Sequence, residues 1–499
     1  MARLNRRTLL AAAAGATLTA AMPAQTQARQ PNILFVIADD WGWQSAKPFD
    51  ELGIRMPAFD RVRREGVTFD NAFVAAPSCT PSRGAILTGR PPWQLEEGAN
   101  LASILRTKFA VYPDLLEAAG YHIGLTGKGW APGQLGPVGR TRNPAGPSYR
   151  DFAAFLAARP AGAPFCYWYG STDPHRPFNQ GEGRRNGVDF KGPMPPYFPD
   201  ADPVRVDIAD YIHATEKFDA QLAGLLAALE ASGEITNTLV VVTGDNGWAF
   251  PRGKATLYDA GTHTPLAMMW PSRIPAGTTI SAPVSLIDLA PTFLEAAGLS
   301  PGAQMTGGSL LAAARGGAAP ARPVVTAMER HMDGRTLPGQ GYPMRALRRE
   351  RHLYIRNFAP ERWAAGNPTR TPPTVQVSET NIFSSYVDID PSPTKAWMVV
   401  NHRDPAVAPF YAKAMGRRPA RELYDVVADP SQQTNLAEDP AHAVLLAEMD
   451  SALMAELKRL ADPRAGDDPG VFERYPPYND PGYGRPADLD VIGEGGVAP

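Results

Sequence analysis

Residues 32–40 read NILFVIADD, a continuous apolar run that closes on two acids. A strand apolar on successive residues needs cover on both faces, which is the setting of a buried parallel strand rather than one with a wet side. The same construction recurs at 237–247 in NTLVVVTGDNG, and shorter strand-like runs occur in YHIGLTG (121–127) and PFCYWYGS (164–171). Helical patterns separate these runs: PAFDRVRREG, YPDLLEAAG and a long stretch over 207–232. Such alternation predicts an α/β fold in which helices flank both faces of a mostly parallel sheet. Ligands of such sheets bind beyond the carboxyl ends of the strands. Two of those ends deliver Asp39, Asp40, Asp245 and Asn246, and hard oxygen donors of this kind suit a divalent cation such as calcium.

Near residue 341 the pattern changes. YPMRALRRERHLYIRNF contains two strand-like pieces, RELYDVVADPSQQTNLA a strand and a turn, and 440–461 an amphipathic helix. We therefore expect a main domain over 29–340 and a smaller C-terminal α+β subdomain over 341–499 with an antiparallel sheet. Its end, rich in Pro and Gly, is expected to run irregularly. Residues 1–28 carry a basic start, the pair Arg6-Arg7, an apolar run and small residues. This resembles a twin-arginine-type export signal and predicts a periplasmic or secreted protein. The apolar run falls short of the roughly 20 residues a membrane helix needs, so no span is expected in the mature chain. A net charge of −2 without a basic block argues against a nucleic-acid partner.

Two cysteines occur in 499 residues. Cys166 lies within the apolar PFCYWYG and reads as a core residue. Cys79 stands instead in SCTPSRGAILTGR, where a helix is expected to begin. Cys79 and Arg83 are four apart and so share a helix face, and Pro81 is tolerated in a first turn. Free N–H groups at the helix start, the dipole and the Arg83 fork together make an oxyanion site beside Cys79.

Cys79-Thr80-Pro81-Ser82-Arg83 with the following GAILTGR resembles the signature of the type I sulfatases. The resemblance implies an alkaline-phosphatase-like fold and conversion of Cys79 by a maturation enzyme to formylglycine, whose hydrate is the nucleophile. It also implies one calcium held by Asp39, Asp40, Asp245, Asn246 and residue 79. LTGKGW places Lys128, STDPHRPF places His175 and RGKATLYDAGTHTP places Lys254 at the family's catalytic positions. Trp130 stands where many sulfatases have a histidine, leaving His175 as the proton-transfer candidate and His263 as a less certain substitute.

DPHRPF, DNGWAFPRGK and YPMRALRRERHLYIRNFAPERW resemble the heparan N-sulfatase (sulfamidase) branch. The substrate implied is N-sulfoglucosamine of heparin or heparan sulfate, a glycosaminoglycan fragment, with Glu329, Arg330 and His331 as candidates for the sugar pocket. Other readings are a sugar O-sulfatase, a phosphonate or phosphate ester hydrolase of the same superfamily, and a non-catalytic glycan-binding relative. The intact C-x-P-S-R motif weighs against the last.

Overall fold

The computed structural model describes residues 30–45, 52–371, 373–478 and 492–493, so the export-type segment at 1–28 lies outside the described residues. Seven strands form the larger sheet: β1 (Asn32–Ala38), β2 (Val67–Phe69), β3 (His122–Gly127), β4 (Phe165–Gly170), β5 (Thr238–Gly244), β6 (Leu266–Met269) and β7 (Thr278–Ile280). Their order is β7-β2-β6-β5-β1-β4-β3. β6 runs antiparallel to both its neighbours and the other pairings are parallel, as the strand–helix alternation predicts.

β1 is buried along its whole length because both faces are covered. Leu34, Val36 and Ala38 enter one core with the helices Pro57–Arg64 and Asp202–Ala231, represented by Phe59, Val62, Ile208, Phe218 and Leu222. Ile33, Phe35 and Ile37 enter the other, against Ile86 and Leu87 of the helix Cys79–Thr88 and Phe293 of the helix Leu289–Ala296. Each of these side chains larger than alanine contributes about 1.5–3 kcal/mol by leaving water.

The register decides where chemistry can occur. Ala38 of β1 lies opposite Gly244 of β5, Ile37 opposite Gly170 of β4, and Gly170 opposite Gly127 of β3. Neighbouring strands thus end level, and Asp39-Asp40, Lys128, Ser171 and Asp245-Asn246 emerge along one edge. The glycines are needed there: a Cβ on Gly170 would lie 1.8 Å from the Lys128 carbonyl oxygen, and Gly127 has φ +75.

A second, four-stranded antiparallel sheet comprises β8 (Val324–Met328), β9 (Met344–Arg348), β10 (His352–Asn357) and β11 (Arg421–Asp425), in that order. It takes its first strand from before residue 341, so the division expected at 340/341 cuts through this unit. β8 falls on the main-domain side of that division because VVTAM is a short apolar run that continues the pattern of the main domain. The helix Ala443–Arg459 covers the sheet through Leu446, Met449, Leu453 and Leu457. A separate cluster joins the two sheets, with Ala255, Leu257 and Tyr258 packing on Met328, Met344, Ile355 and Tyr424. No helix among the described residues is long and apolar enough to cross a membrane.

Candidate active site

The helix Cys79–Thr88 starts at the level strand edge, after Ser78 in extended conformation, and stops at Gly89, which is left-handed at φ 63. All ten of its residues are buried. Cys79 and Arg83 lie on one face, as their spacing requires. Arg83 Nε donates to Asp245 Oδ2 at 2.7 Å, its Nη1 donates to the carbonyls of Lys128 (2.6 Å) and Gly129 (3.0 Å), and Nη2 lies 3.5 Å from Asp39 Oδ1. The guanidinium thereby ties three strand ends together.

Lys128 Nζ donates to Asp39 Oδ2 at 2.6 Å, and Lys254 Nζ to Asp40 Oδ2 at 2.8 Å. Asp40 sits in the left-handed region at φ 65, and Arg252 (φ 69) and Ala255 (φ 62) on either side of Lys254 do the same. Strain of this kind, of order 1–3 kcal/mol per residue, collects at functional sites. Cys79 Sγ donates to Asp39 Oδ1 at 3.5 Å. Burial pushes this thiol well above its ordinary value, with Lys128 and Lys254 opposing and Asp39 and Asp245 adding to the rise. The unmodified side chain is therefore held as a thiol, a poor nucleophile. Burial alone would raise the Asp39 carboxyl, but Lys128, His175 and Arg83 outweigh it and keep it ionised.

His175 Nδ1 faces the carbonyl oxygen of Arg176. A carbonyl only accepts, so Nδ1 carries the proton, and Nε2, 3.7 Å from Asp40 Oδ2, points into the site. The loop is fixed from behind by Arg176, whose Nη1 and Nη2 donate to Asp207 Oδ1 and Oδ2 at 2.6 and 2.9 Å.

Asp39, Cys79, Lys128, His175, Lys254, Arg330 and His331 all border one cavity of about 820 Å³. His331 Nδ1 is 2.9 Å from the Ser78 hydroxyl, beside the head of the helix Cys79–Thr88. Arg330 borders the cavity while its guanidinium donates to the carbonyls of Gly339, Tyr475 and Pro476. Glu329 does not belong to this wall: its carboxylate is buried on Arg345 and Arg464, where it holds the second sheet to its helix layer. His263 is likewise structural, with Nε2 2.7 Å from the Asp70 carbonyl and its ring stacked on Trp43. Burial and Arg348 push its pKa down to about 3. Trp130 is buried against Gly84 and Gly133 and is absent from the cavity wall, so it does not replace the missing histidine. Cys166 is buried in β4, and no disulfide joins it to Cys79.

Among the cavity residues that the sequence did not reveal, two stand out. Asp390 lies 3.5 Å from Lys254 Nζ, and Arg176 supports the His175 loop. "YVDIDPSP" carries an acid after an apolar alternation, a faint version of the strand-end signal.

Ligand atoms of Asp39, Asp40, Cys79 and His175 all lie within 4.8 Å of one another. Asp245 is outside that group, its oxygens taken by the Asp40 N–H (3.0 Å) and Arg83. Asn246 donates through Nδ2 to Asp40 Oδ1, and its Oδ1 is buried without a hydrogen-bond partner. An orphaned buried oxygen beside carboxylates fits a hard cation. Charge agrees: Asp39, Asp40, Asp245 and Asp390 face Arg83, Lys128 and Lys254, so a divalent ion would turn the site from net negative to net positive.

Cations and carboxylates thus converge on one buried cysteine at a helix head, a setting suited to an anionic ligand. The family model described as Sulfatase matches residues 31–132 and 147–299, just over half of the sequence, and the chain belongs to that family. Human N-sulphoglucosamine sulphohydrolase is 28% identical, covering 90% of this chain and 94% of its own length. An ulvan-active sulfatase of Formosa agariphila is 25% identical, over 87% of this chain and 76% of its own. A solved structure described as in complex with its substrate D-glucosamine-2-N,6-O-disulfate superposes with a TM-score of 0.63 at 20% identity, covering 87% of this chain and 98% of that one. The protein is a sulfatase.

Proposed function

We propose that the chain removes N-sulfate from glucosamine residues of heparin or heparan sulfate, after export and after conversion of Cys79 to formylglycine by a maturation enzyme. The observation that carries the sugar assignment is the match to human N-sulphoglucosamine sulphohydrolase, which runs through nearly all of both chains and so includes the C-terminal part that walls the cavity. Asp39, Asp40, Asp245, Asn246 and residue 79 would hold a calcium ion, which supplies Lewis-acid stabilisation of the sulfo oxygens when bound. Residue 79, once oxidised to the aldehyde and hydrated, would offer one hydroxyl to displace the amine from sulfur and keep a second whose return to the carbonyl would let the sulfate leave. Lys128 and Lys254, which border the cavity, gather the sulfo group and offset the charge that develops on it, while Arg83, absent from the cavity wall, holds the carboxylates and carbonyls around them in place. Because Nδ1 of His175 donates to a carbonyl, Nε2 is the free nitrogen that would take up the proton given off by the attacking hydroxyl and pass it to the departing amine.

The assay is sulfate release from N-sulfoglucosamine, glucosamine 6-sulfate and an aryl sulfate, beside a matched phosphate ester. Preference for the N-sulfated sugar is expected. Preference for the 6-sulfate would reassign the enzyme as a sugar O-sulfatase, and preference for the phosphate ester as a phosphatase-type relative. Mass spectrometry of the peptide containing position 79 tests the nucleophile: fully active protein with an intact thiol would exclude formylglycine. Chelation followed by dialysis is expected to lower both activity and Tm, with calcium restoring them.

A further inference from the structure

Four carboxylates border the cavity, and three of them have evident employment. Asp39 holds Lys128, Asp173 accepts from Gln221, and Asp333 accepts from the Gly339 N–H. Asp390 differs: its Oδ2 is buried, lies 3.5 Å from Lys254 Nζ and has no hydrogen-bond partner among the described residues. The ammonium it faces makes its closer bond to Asp40 at the sulfo-binding centre. Asp390 is thus a single lysine away from where the sulfo group is proposed to sit.

The segment bearing it is fixed by buried polar bonds. Lys395 Nζ donates to the carbonyls of Tyr386 and Ile389, at 3.2 and 2.8 Å. Asp388 accepts from the Met332 N–H (2.9 Å) and Arg335 (2.5 Å). Thr394 donates through N and Oγ1 to Asp207, the same carboxylate that clamps Arg176 beside His175. A carboxylate that turns one oxygen to a buried lysine and keeps 12% of its side chain exposed at the cavity wall, held rigidly, is complementary to an uncharged donor and hostile to an anion.

We propose that Asp390 is a specificity residue: its carboxylate accepts a hydrogen bond from a free hydroxyl on the ring carbon next to the one bearing the sulfo group, and rejects a sugar carrying a second sulfate there. This rests on the sulfatase reading only for where the sulfo group binds. Sites built to bond a hydroxyl discriminate strongly against ligands that cannot supply it, so at least about tenfold in kcat/KM is expected.

The test compares N-sulfoglucosamine, its counterpart with a second sulfate at the neighbouring position 3, and an aryl sulfate, for wild type, Asp390→Asn and Asp390→Glu. Wild type is expected to disfavour the disulfated sugar by about tenfold or more, and Asp390→Asn to narrow that ratio below about threefold. The loss on the monosulfated sugar should exceed the loss on the aryl sulfate and lie mainly in KM. Asp390→Glu keeps the charge and is expected to keep the discrimination, and it also serves should the Asn variant fold poorly. An unchanged ratio in Asp390→Asn, or equal losses on all three substrates, overturns the proposal; the latter would mean that Asp390 acts by placing Lys254. If wild type instead accepts only an O-sulfated sugar, the sulfamidase reading fails, and the same comparison with that sugar and its vicinally disulfated form still decides the role of Asp390.

Discussion

The carbonyl oxygen of Lys128 matters to the site as much as its ammonium. It accepts from Arg83 Nη1 at 2.6 Å and from Trp168 Nε1 at 3.1 Å, and it fits only because Gly170 has no side chain. Gly170→Ala would drive a methyl group into that oxygen, displacing Lys128 and loosening Arg83 together. Such a displacement from the strand edge is expected to cost about 100-fold in kcat. Sulfate release beside a circular dichroism spectrum checks this: a folded variant with wild-type kcat would show that the Lys128 carbonyl is not part of the positioning. Asp39, Asp40, Asp245 and Asn246 were legible in the sequence because each ends an apolar run that can only be a buried strand. Asp390 was not, because the brief apolar alternation before it forms no strand and it faces a lysine from a distant part of the chain.

At the scale of elements, the start of the helix Cys79–Thr88 could be read from its proline and the Cys79–Arg83 spacing, and its end at the left-handed Gly89 has an equally local cause. The segment that closes the cavity has no such local code. It is held by Lys395, at the start of the helix Pro393–Val400, which is fully buried and donates to two carbonyls. Burial pushes the Lys395 ammonium down from 10.5 to about 7, with Asp390 and Asp388 opposing. Below that value the folded protein carries the full penalty of a buried charge. Between about pH 7 and 10.5 the unfolded chain keeps a proton that the folded one has shed, so this residue's contribution to unfolding free energy rises with pH. The Tm of wild type minus that of Lys395→Met is therefore expected to grow between about pH 6 and about pH 9. A difference flat with pH would mean that the amine stays charged in the fold. The neighbouring clamp acts differently. Asp207→Ala leaves Arg176 buried without its partner and is expected to cost about 3–5 kcal/mol, read from urea unfolding, because an uncompensated internal charge is worse than none.

For the whole molecule, the two sheets are interlocked rather than merely joined. Trp93, which follows the helix Cys79–Thr88, is buried in the core of the second sheet, and Gln94 donates to the Leu460 carbonyl at 2.8 Å. In the other direction, Ala327 of β8 donates its N–H to Ala75 at 2.9 Å, and Leu101 donates to Arg330 at 3.0 Å. Between them, Tyr258 donates to Glu422 at 2.7 Å and Asp259 meets Arg348 at 3.2 Å, within a shared apolar cluster. Lys254, His331 and Asp390 reach the cavity from both sides of this junction, so the site exists only while the two parts are docked. Sequence patterns reveal each sheet but not this interlock, which depends on contacts between residues far apart in the chain. Chains with separable domains melt in steps, whereas a core that straddles both sheets couples them. Calorimetry is accordingly expected to give one transition with a ratio of calorimetric to van't Hoff enthalpy of about one. Far-UV circular dichroism and tryptophan fluorescence should share its midpoint, since Trp93 reports on the second core and Trp168 on the first. Two resolved transitions, or a fluorescence change well ahead of the loss of secondary structure, would show that the sheets unfold independently and that the cavity can open without the larger sheet melting.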